Sequence, residues 1–273
     1  MRFGLQIPNF TNDESPGVLF DGVVAMATAA EGAGYDSVWV MDHLYQLPPM
    51  GGPSQPMLDA YTLLGALATQ TSRVRLGTMV TGVTYRNPAH LAKIVTTLDI
   101  LSAGRAILGI GAAWYDVEHE GLGFDFPPAG ERLDRLEEAL QICRAMFTEE
   151  APTFDGRYYR IHEARNVPPP VQPGGPTILI GGGGERRTLQ LVARYADMCN
   201  IFGDAATVAH KVEVLRGHCE DLGRDPSEVT VSRLSTLVLT GSAEETASTR
   251  DFLRQVTGEE LQTVQIRLQV SHH

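Results

Sequence analysis

Short apolar runs of strand character alternate with longer runs of helical character along most of the chain, and this alternation constrains the fold more than any other feature. Residues 2–8 show apolar side chains at period two, and residues 37–41, 74–80, 105–110, 177–180, 198–202 and 229–239 are short, β-branched or apolar runs. Helical segments lie between them. Residues 20–33 are rich in small apolar side chains and stop at Gly34. Asp59 is placed to cap a helix reaching Thr69, and Asn87-Pro88 gives a cap with proline in the first helical position of a helix to Leu101. Residues 131–147 bring Leu133, Leu136, Leu140 and Phe147 to one face. Helices over 185–195, 206–222 (with a strong apolar stripe) and 244–256 complete the series. Repeated strand–helix units imply a parallel sheet covered by helices, either closed as a barrel or open and doubly wound. The 273 residues fit one (β/α)8 barrel, typically ~250 residues, and the chain reads as a single domain over 1–273.

Two segments break the rhythm. Residues 44–58 hold Pro48, Pro49, Pro53, Pro56, Gly51 and Gly52 and read as an irregular loop. Residues 151–176 are proline-rich and contain Phe154-Asp155-Gly156-Arg157-Tyr158, a hairpin turn. Loops of this length in a compact domain are usually functional or disordered.

Charge and cysteine content narrow the partners. With 22 Lys and Arg against 33 Asp and Glu the net charge is −11, which disfavours nucleic acid and anionic membranes as partners. The three cysteines, Cys143, Cys199 and Cys219, are odd in number and widely spaced, against a disulfide framework or a zinc site and in favour of a reducing compartment. His43, His90, His119 and His162 form no metal-binding motif, so no metal is expected. No apolar run reaches the ~18 residues of a membrane span, and the first strand leaves no room for a leader; a cytoplasmic location is expected.

In parallel α/β folds ligands bind at the carboxyl ends of the strands. Asp42 and His43 follow the second strand; Met79, Val80, Thr81, Gly82, Tyr85 and Arg86 close and follow the third; Ala112, Ala113 and Trp114 follow the fourth; Gly181, Gly182, Gly183, Gly184, Glu185 and Arg186 follow the fifth; and Asn200 and Phe202 close the sixth. The four glycines leave a strand and open a helix, where backbone N–H groups can reach an anion and Arg186 and Arg187 add positive charge. The alternative is a flexible turn without a ligand. The run is neither a P-loop nor a good G-x-G-x-x-G match, since no Gly-Lys-Ser/Thr follows and Arg186 stands in the last glycine slot. Histidine titrates near neutral pH, so His43 is either a proton carrier or a structurally bonded ring. Tyr85 and Trp114 can wall a flat ring or pack as core.

The segments SVWVMDH (37–43), LGTMVTGVTYRNP (76–88), LDILSAGR (98–105), LGIGAAW (108–114) and ILIGGGG (178–184) together make the chain resemble the luciferase-like monooxygenase superfamily, in particular the actinobacterial F420-dependent oxidoreductases. The resemblance implies a (β/α)8 TIM barrel with a deazaflavin coenzyme at its C-terminal mouth. It implies cofactor contacts from Asp42, from Met79, Val80 and Thr81 at a bulge with a non-proline cis peptide at Met79-Val80, from Ala112, and from a phosphate site made by Gly181, Gly182, Gly183, Gly184 and Arg186. It gives His43 the role of proton donor, with Tyr85, Trp114 and Phe202 in the substrate pocket. Two departures stand out. The sugar-phosphate dehydrogenases of the superfamily carry a glutamate where this chain has Ala112-Ala113-Trp114, and the C-terminal end is atypical, with the alternating residues 263–270 suited to a half-exposed strand. The expected function is hydride transfer between coenzyme F420 and a small molecule with a C=C, C=N or C=O bond, in a homodimer. The alternatives are an FMN-dependent monooxygenase and a non-catalytic flavin or deazaflavin binder.

Overall fold

The computed structural model describes residues 1–10, 15–235 and 241–257 and divides into two compact units, Met1–Leu234 and Ser235–His273. In the first unit the elements run β1 (Gly4–Ile7), α1 (Leu19–Gly32), β2 (Ser37–Val40), α2 (Ala60–Gln70), β3 (Arg75–Thr78), β4 (Thr81–Gly82), α3 (Pro88–Leu101), β5 (Ala106–Gly111), α4 (Asp116–Leu122), α5 (Ala129–Thr148), β6 (Phe154–Asp155), β7 (Arg160–Ile161), β8 (Thr177–Gly181), α6 (Thr188–Tyr195), β9 (Met198–Ile201), α7 (Ala205–Asp221) and β10 (Thr230–Arg233). The caps are those the sequence requires: the Asp59 carboxylate accepts from Thr62 N at 2.8 Å, and the Asn87 side chain from Ala89 N at 2.9 Å. Each such cap stabilises its helix by ~1 kcal/mol.

Strand order decides between the two closures. The parallel sheet runs β1-β2-β3-β5-β8-β9-β10, strictly in chain order, with β4 continuing along β5. A doubly wound sheet reverses its strand order at a switch point; here no reversal occurs, so every crossover helix falls on the same face, as in a (β/α)8 barrel. Packing agrees. Val38 and Val40 of β2, Leu108 and Ile110 of β5, and Ile178 and Ile180 of β8 join one large core with the helices. The intervening Trp39, Ile107 and Leu179 form a separate small cluster on the other face, the barrel interior, with Met79, Val80 and Met198 against it. Trp39 fits there because two glycines face it: a Cβ built on Gly77 would lie 2.9 Å from the indole, and one on Gly4 would lie 2.6 Å from its Nε1.

The irregular segments hold as expected. Between β2 and α2 the only regular piece is a one-turn 3-10 helix, Pro48–Met50, and β6 and β7 pair antiparallel as a hairpin, Phe154 opposite Ile161. Three readings need correction. Helix α6 begins at Thr188, not at residue 185, which lengthens the glycine turn. Helix α7 has no strong apolar stripe; it buries only Leu215 and Cys219. Helix α4 was not anticipated. The expected strand over 263–270 lies outside the described residues. In the second unit α8 (Ala243–Thr257) is capped by Ser242, Glu245 N donating to Ser242 Oγ at 3.1 Å, while the Glu245 carboxylate accepts from Gly241 N at 2.7 Å. No described helix is long and apolar enough to cross a membrane.

Candidate active site

Polar residues gather where the strands end. Asp42, two residues past β2, is 1% exposed. Its carboxylate takes both terminal nitrogens of Arg86, at 2.5 and 3.1 Å, and Arg86 also reaches Asp59 at 3.4 Å while its guanidinium lies 4.9 Å over the Tyr61 ring. Below this pair the Tyr61 hydroxyl meets Thr81 Oγ1 at 2.8 Å, Thr81 meets Thr78 at 3.0 Å, and Thr78 donates to the Gly109 carbonyl at 2.8 Å. Burial pushes the Asp42 carboxyl up, opposed by the charge and hydrogen bonds of Arg86 and by Thr81. Arg86, although burial works against its charge, is held above its usual range by Asp42. A bidentate guanidinium that keeps its proton keeps its carboxylate ionised too, so the two form a buried ion pair.

The second cluster is built around Glu118, fully buried on α4. Its carboxylate accepts from Leu44 N at 2.6 Å, from Tyr45 N at 3.1 Å and from the Tyr85 hydroxyl, and meets His43 Nδ1 at 2.8 Å. Burial alone would raise the Glu118 pKa; the bonds from His43, Tyr85 and Leu44 overcome it and hold the carboxyl below its usual range. Burial and the Glu118 bond push the Tyr85 phenol up, so it remains a donor. An ionised acceptor on Nδ1 places the ring proton there in the neutral imidazole, and Nε2 is the nitrogen left over; no described residue bonds it. The His43 ring meets Trp114 and Tyr115 edge-on, with centroids 5.7 and 5.9 Å away. His119, the next residue on α4, uses both nitrogens, on Thr84 Oγ1 at 2.6 Å and on the Tyr115 carbonyl at 2.7 Å, and stacks on Tyr85. It is a fastener.

The third cluster is the glycine turn. Gly182 has φ +127°, a conformation that strains any residue with a Cβ, and donates its N–H to the Asn200 carbonyl at 3.1 Å. Lys211 of α7 donates to the Gly183 carbonyl at 2.7 Å and to Glu185 at 3.2 Å, and Arg187 is tied to Asp134 at 2.6 Å. Among the described residues, Arg186 has no ion-pair partner, and Gly183 and Gly184 donate to no backbone carbonyl. An open cleft of about 460 Å³ is lined by Leu133, Gly183, Gly184, Glu185, Arg186, Arg187, Thr188 and Lys211. Asn200, 2% exposed and in register with Gly181, gives its amide to Ser232 at 3.0 Å, but its Oδ1 has no described partner.

The remaining candidates fall around these clusters. The Met79–Val80 peptide is cis, as expected. The Val80 side chain fills the space that Cβ atoms on Gly111 and Gly181 would occupy, and the Ala112 carbonyl accepts from Arg132 at 2.9 Å. Tyr85 and Trp114 come to His43 and Glu118; Phe202 is exposed and makes no ring contact with either among the described residues. Asp42 is not the partner of His43, because both its oxygens are on Arg86. Glu118 is that partner, and no sequence signal singled it out: it sits between Val117 and His119 in a segment with no apolar period.

The luciferase-like monooxygenase family model matches residues 1–271. The chain belongs to this family. A luciferase-like relative, the F420-dependent glucose-6-phosphate dehydrogenase of Kineococcus radiotolerans, is 39% identical over 171 residues, 62% of this chain and 48% of that protein. An uncharacterized protein of Mycobacterium tuberculosis is 34% identical over 212 residues, covering 72% of this chain and 71% of its own. Among solved structures, an F420-dependent secondary alcohol dehydrogenase in complex with an F420–acetone adduct superposes with a TM-score of 0.72 at 23% identity, over 85% of this chain and 68% of that one, a likeness of fold. The chain spans about half the length of the curated F420-dependent relatives it matches.

Proposed function

We propose that this luciferase-like barrel is an F420-dependent oxidoreductase in which His43 handles the proton that accompanies hydride transfer. The observation that carries the reading is the His43–Glu118 pair: a buried ionised carboxylate occupies Nδ1, and Nε2, beside Trp114, has no partner among the described residues. The names of the relatives support the choice of coenzyme.

The residues of the mouth fit a phosphorylated flavin-like group. Among the described residues two glycine N–H groups have no backbone acceptor and Arg186 no ion-pair partner, which suits a phosphate, and Asn200 Oδ1 next to the turn, likewise without a described partner, offers an acceptor. Gly181, Gly182, Gly183, Gly184 and Arg186 would hold the phosphate, Met79, Val80, Thr81 and Ala112 would contact the ring, and Asp42 holds Arg86 in place. When bound, a deazaflavin supplies a carbon centre that gives or takes a hydride. The chain's own contribution is proton handling. His43 Nε2 gives a proton to the site where negative charge develops, or takes one when the reaction runs the other way; Glu118 fixes the tautomer and stabilises the imidazolium; Tyr85 keeps the carboxylate oriented. General acid–base catalysis of this kind is worth ~10²–10⁴-fold.

The family's name favours a second reading, an FMN-dependent monooxygenase using the same turn. Fluorescence titration with the deazaflavin and with FMN separates the two. The deazaflavin should bind at least ~10-fold tighter, and Arg186→Ala should weaken it by ~10-fold through loss of one charge-assisted contact. Tighter binding of FMN would overturn the proposal.

A further inference from the structure

Resting on the deazaflavin-oxidoreductase reading, we infer that the substrate is a flat, uncharged, apolar molecule, of the class of aromatic enones and ketones, seated on Trp114 beside His43. The two tryptophans of the chain show the contrast that points there. Trp39 is 6% exposed inside the barrel, whereas Trp114 is 62% exposed at the end of β5. The exposed indole is nonetheless fixed: its ring lies 5.7 Å from His43, edge-on, and 5.3 Å from Tyr115, tilted by 35°. A largely exposed indole held against two other rings can serve as a stacking platform, and its neighbour is the ring whose Nε2 has no partner among the described residues.

Helix α4 begins two residues after Trp114. It turns Glu118 and His119 inward and leaves Val117 and Leu122 exposed, and Phe124 just beyond is exposed as well. Apolar side chains outside and charged ones inside lower the stability of a seven-residue helix, and the arrangement is explained if the outer face meets an apolar ligand.

Charge excludes the opposite class. A phosphorylated or carboxylated substrate at His43 would need a cation to hold it. Of the cations bonded to this region, Arg86 is spent on Asp42 and Asp59, and Arg132 on the Ala112 and Pro127 carbonyls, with its guanidinium 4.0 Å over Phe126. The anions Asp42 and Glu118 lie next to the ring in sequence or in contact with it. Arg186, which has no ion-pair partner among the described residues, belongs to the glycine turn.

The test is isothermal titration of the folded protein, with and without oxidised deazaflavin, using benzylideneacetone as the flat uncharged probe and glucose 6-phosphate as the anionic one. Benzylideneacetone should bind at least ~10-fold tighter than glucose 6-phosphate. Trp114→Glu should weaken benzylideneacetone by ~10-fold, and Trp114→Phe by under ~3-fold, as expected when a stacking face is removed or kept. Melting temperature checks that both variants are folded. Glucose 6-phosphate binding as tightly as the enone, no detectable enone binding, or unchanged enone affinity in folded Trp114→Glu would each overturn the inference. Coenzyme fluorescence reads deazaflavin affinity separately, so a failure of the coenzyme reading is distinguishable from a failure of this one.

Discussion

Both ends of the barrel hold charged side chains in hydrogen bonds, but they bond them differently. At the N-terminal end, charged side chains are locked onto backbone. The Glu31 carboxylate accepts from the N–H groups of Ser72, Arg73 and Val74, and the Arg105 guanidinium donates to the carbonyls of Ala68, Thr71 and Val74, closing the C-terminus of α2. At the C-terminal end charged side chains bond other side chains as well as backbone: Asp42 bonds Arg86, and Glu118 bonds His43 and Tyr85 besides the N–H groups of Leu44 and Tyr45. A charge consumed by backbone groups staples the chain. A side-chain pair can leave an atom over, and among the described residues His43 Nε2, Asn200 Oδ1 and Arg186 are left over, all at one end. The lesson is that burial alone does not mark a functional charge; the partner does.

The sharpest way to break this comparison is at Arg86. Arg86→Met should cost about 3–5 kcal/mol, because it strands the buried Asp42 carboxylate, and adding Asp42→Leu should restore much of that loss. Urea denaturation of the single and double variants measures it; a loss under about 1 kcal/mol would mean that Asp42 is not ionised in the native state.

Next in size is His43→Ala, which should lower single-turnover hydride transfer by ~10²-fold with coenzyme affinity within a few-fold. Glu118→Gln, which keeps the shape and removes the charge, should cost less in the same single-turnover measurement. A structural role for His43 would instead lower the melting temperature with normal turnover per folded molecule.

The smallest effect belongs to the N-terminal staple. Glu31→Gln should lower stability by about 1 kcal/mol and leave turnover unchanged. Burial raises the Glu31 pKa, but the backbone bonds from Arg73, Val74 and Ser72 outweigh it and bring it from 4.5 to about 2. Its contribution is therefore fully present above pH 4.5 and lost as pH falls through about 2. The stability difference between wild type and Glu31→Gln should shrink across that window, and a constant difference would show that the carboxylate charge is not what holds residues 72–74.

Much of the fold is legible in the order of residues. The βα alternation, the caps at Asp59 and Asn87, the hairpin at residues 154–161 and the glycine turn each rest on a local rule: a period of two or 3.6, a cap side chain, a residue free of Cβ. The clusters of the mouth are legible as a place, since Asp42, Thr81, Trp114 and Gly182 all follow parallel strands.

The tertiary structure decided which polar groups meet. Glu118 reaches His43 across 75 residues of chain and Arg86 reaches Asp42 across 44. Helix α4 stayed hidden because its buried side chains are charged and its exposed ones apolar, so a pattern that equates apolar with buried does not register it. Helix α7 shows the converse: apolar spacing suggested a stripe, but few neighbours cover it. Local periodicity encodes the burial of apolar surface, which any apolar neighbour can satisfy. A buried carboxylate needs particular donors, and which donors it finds depends on where the strands and their loops converge.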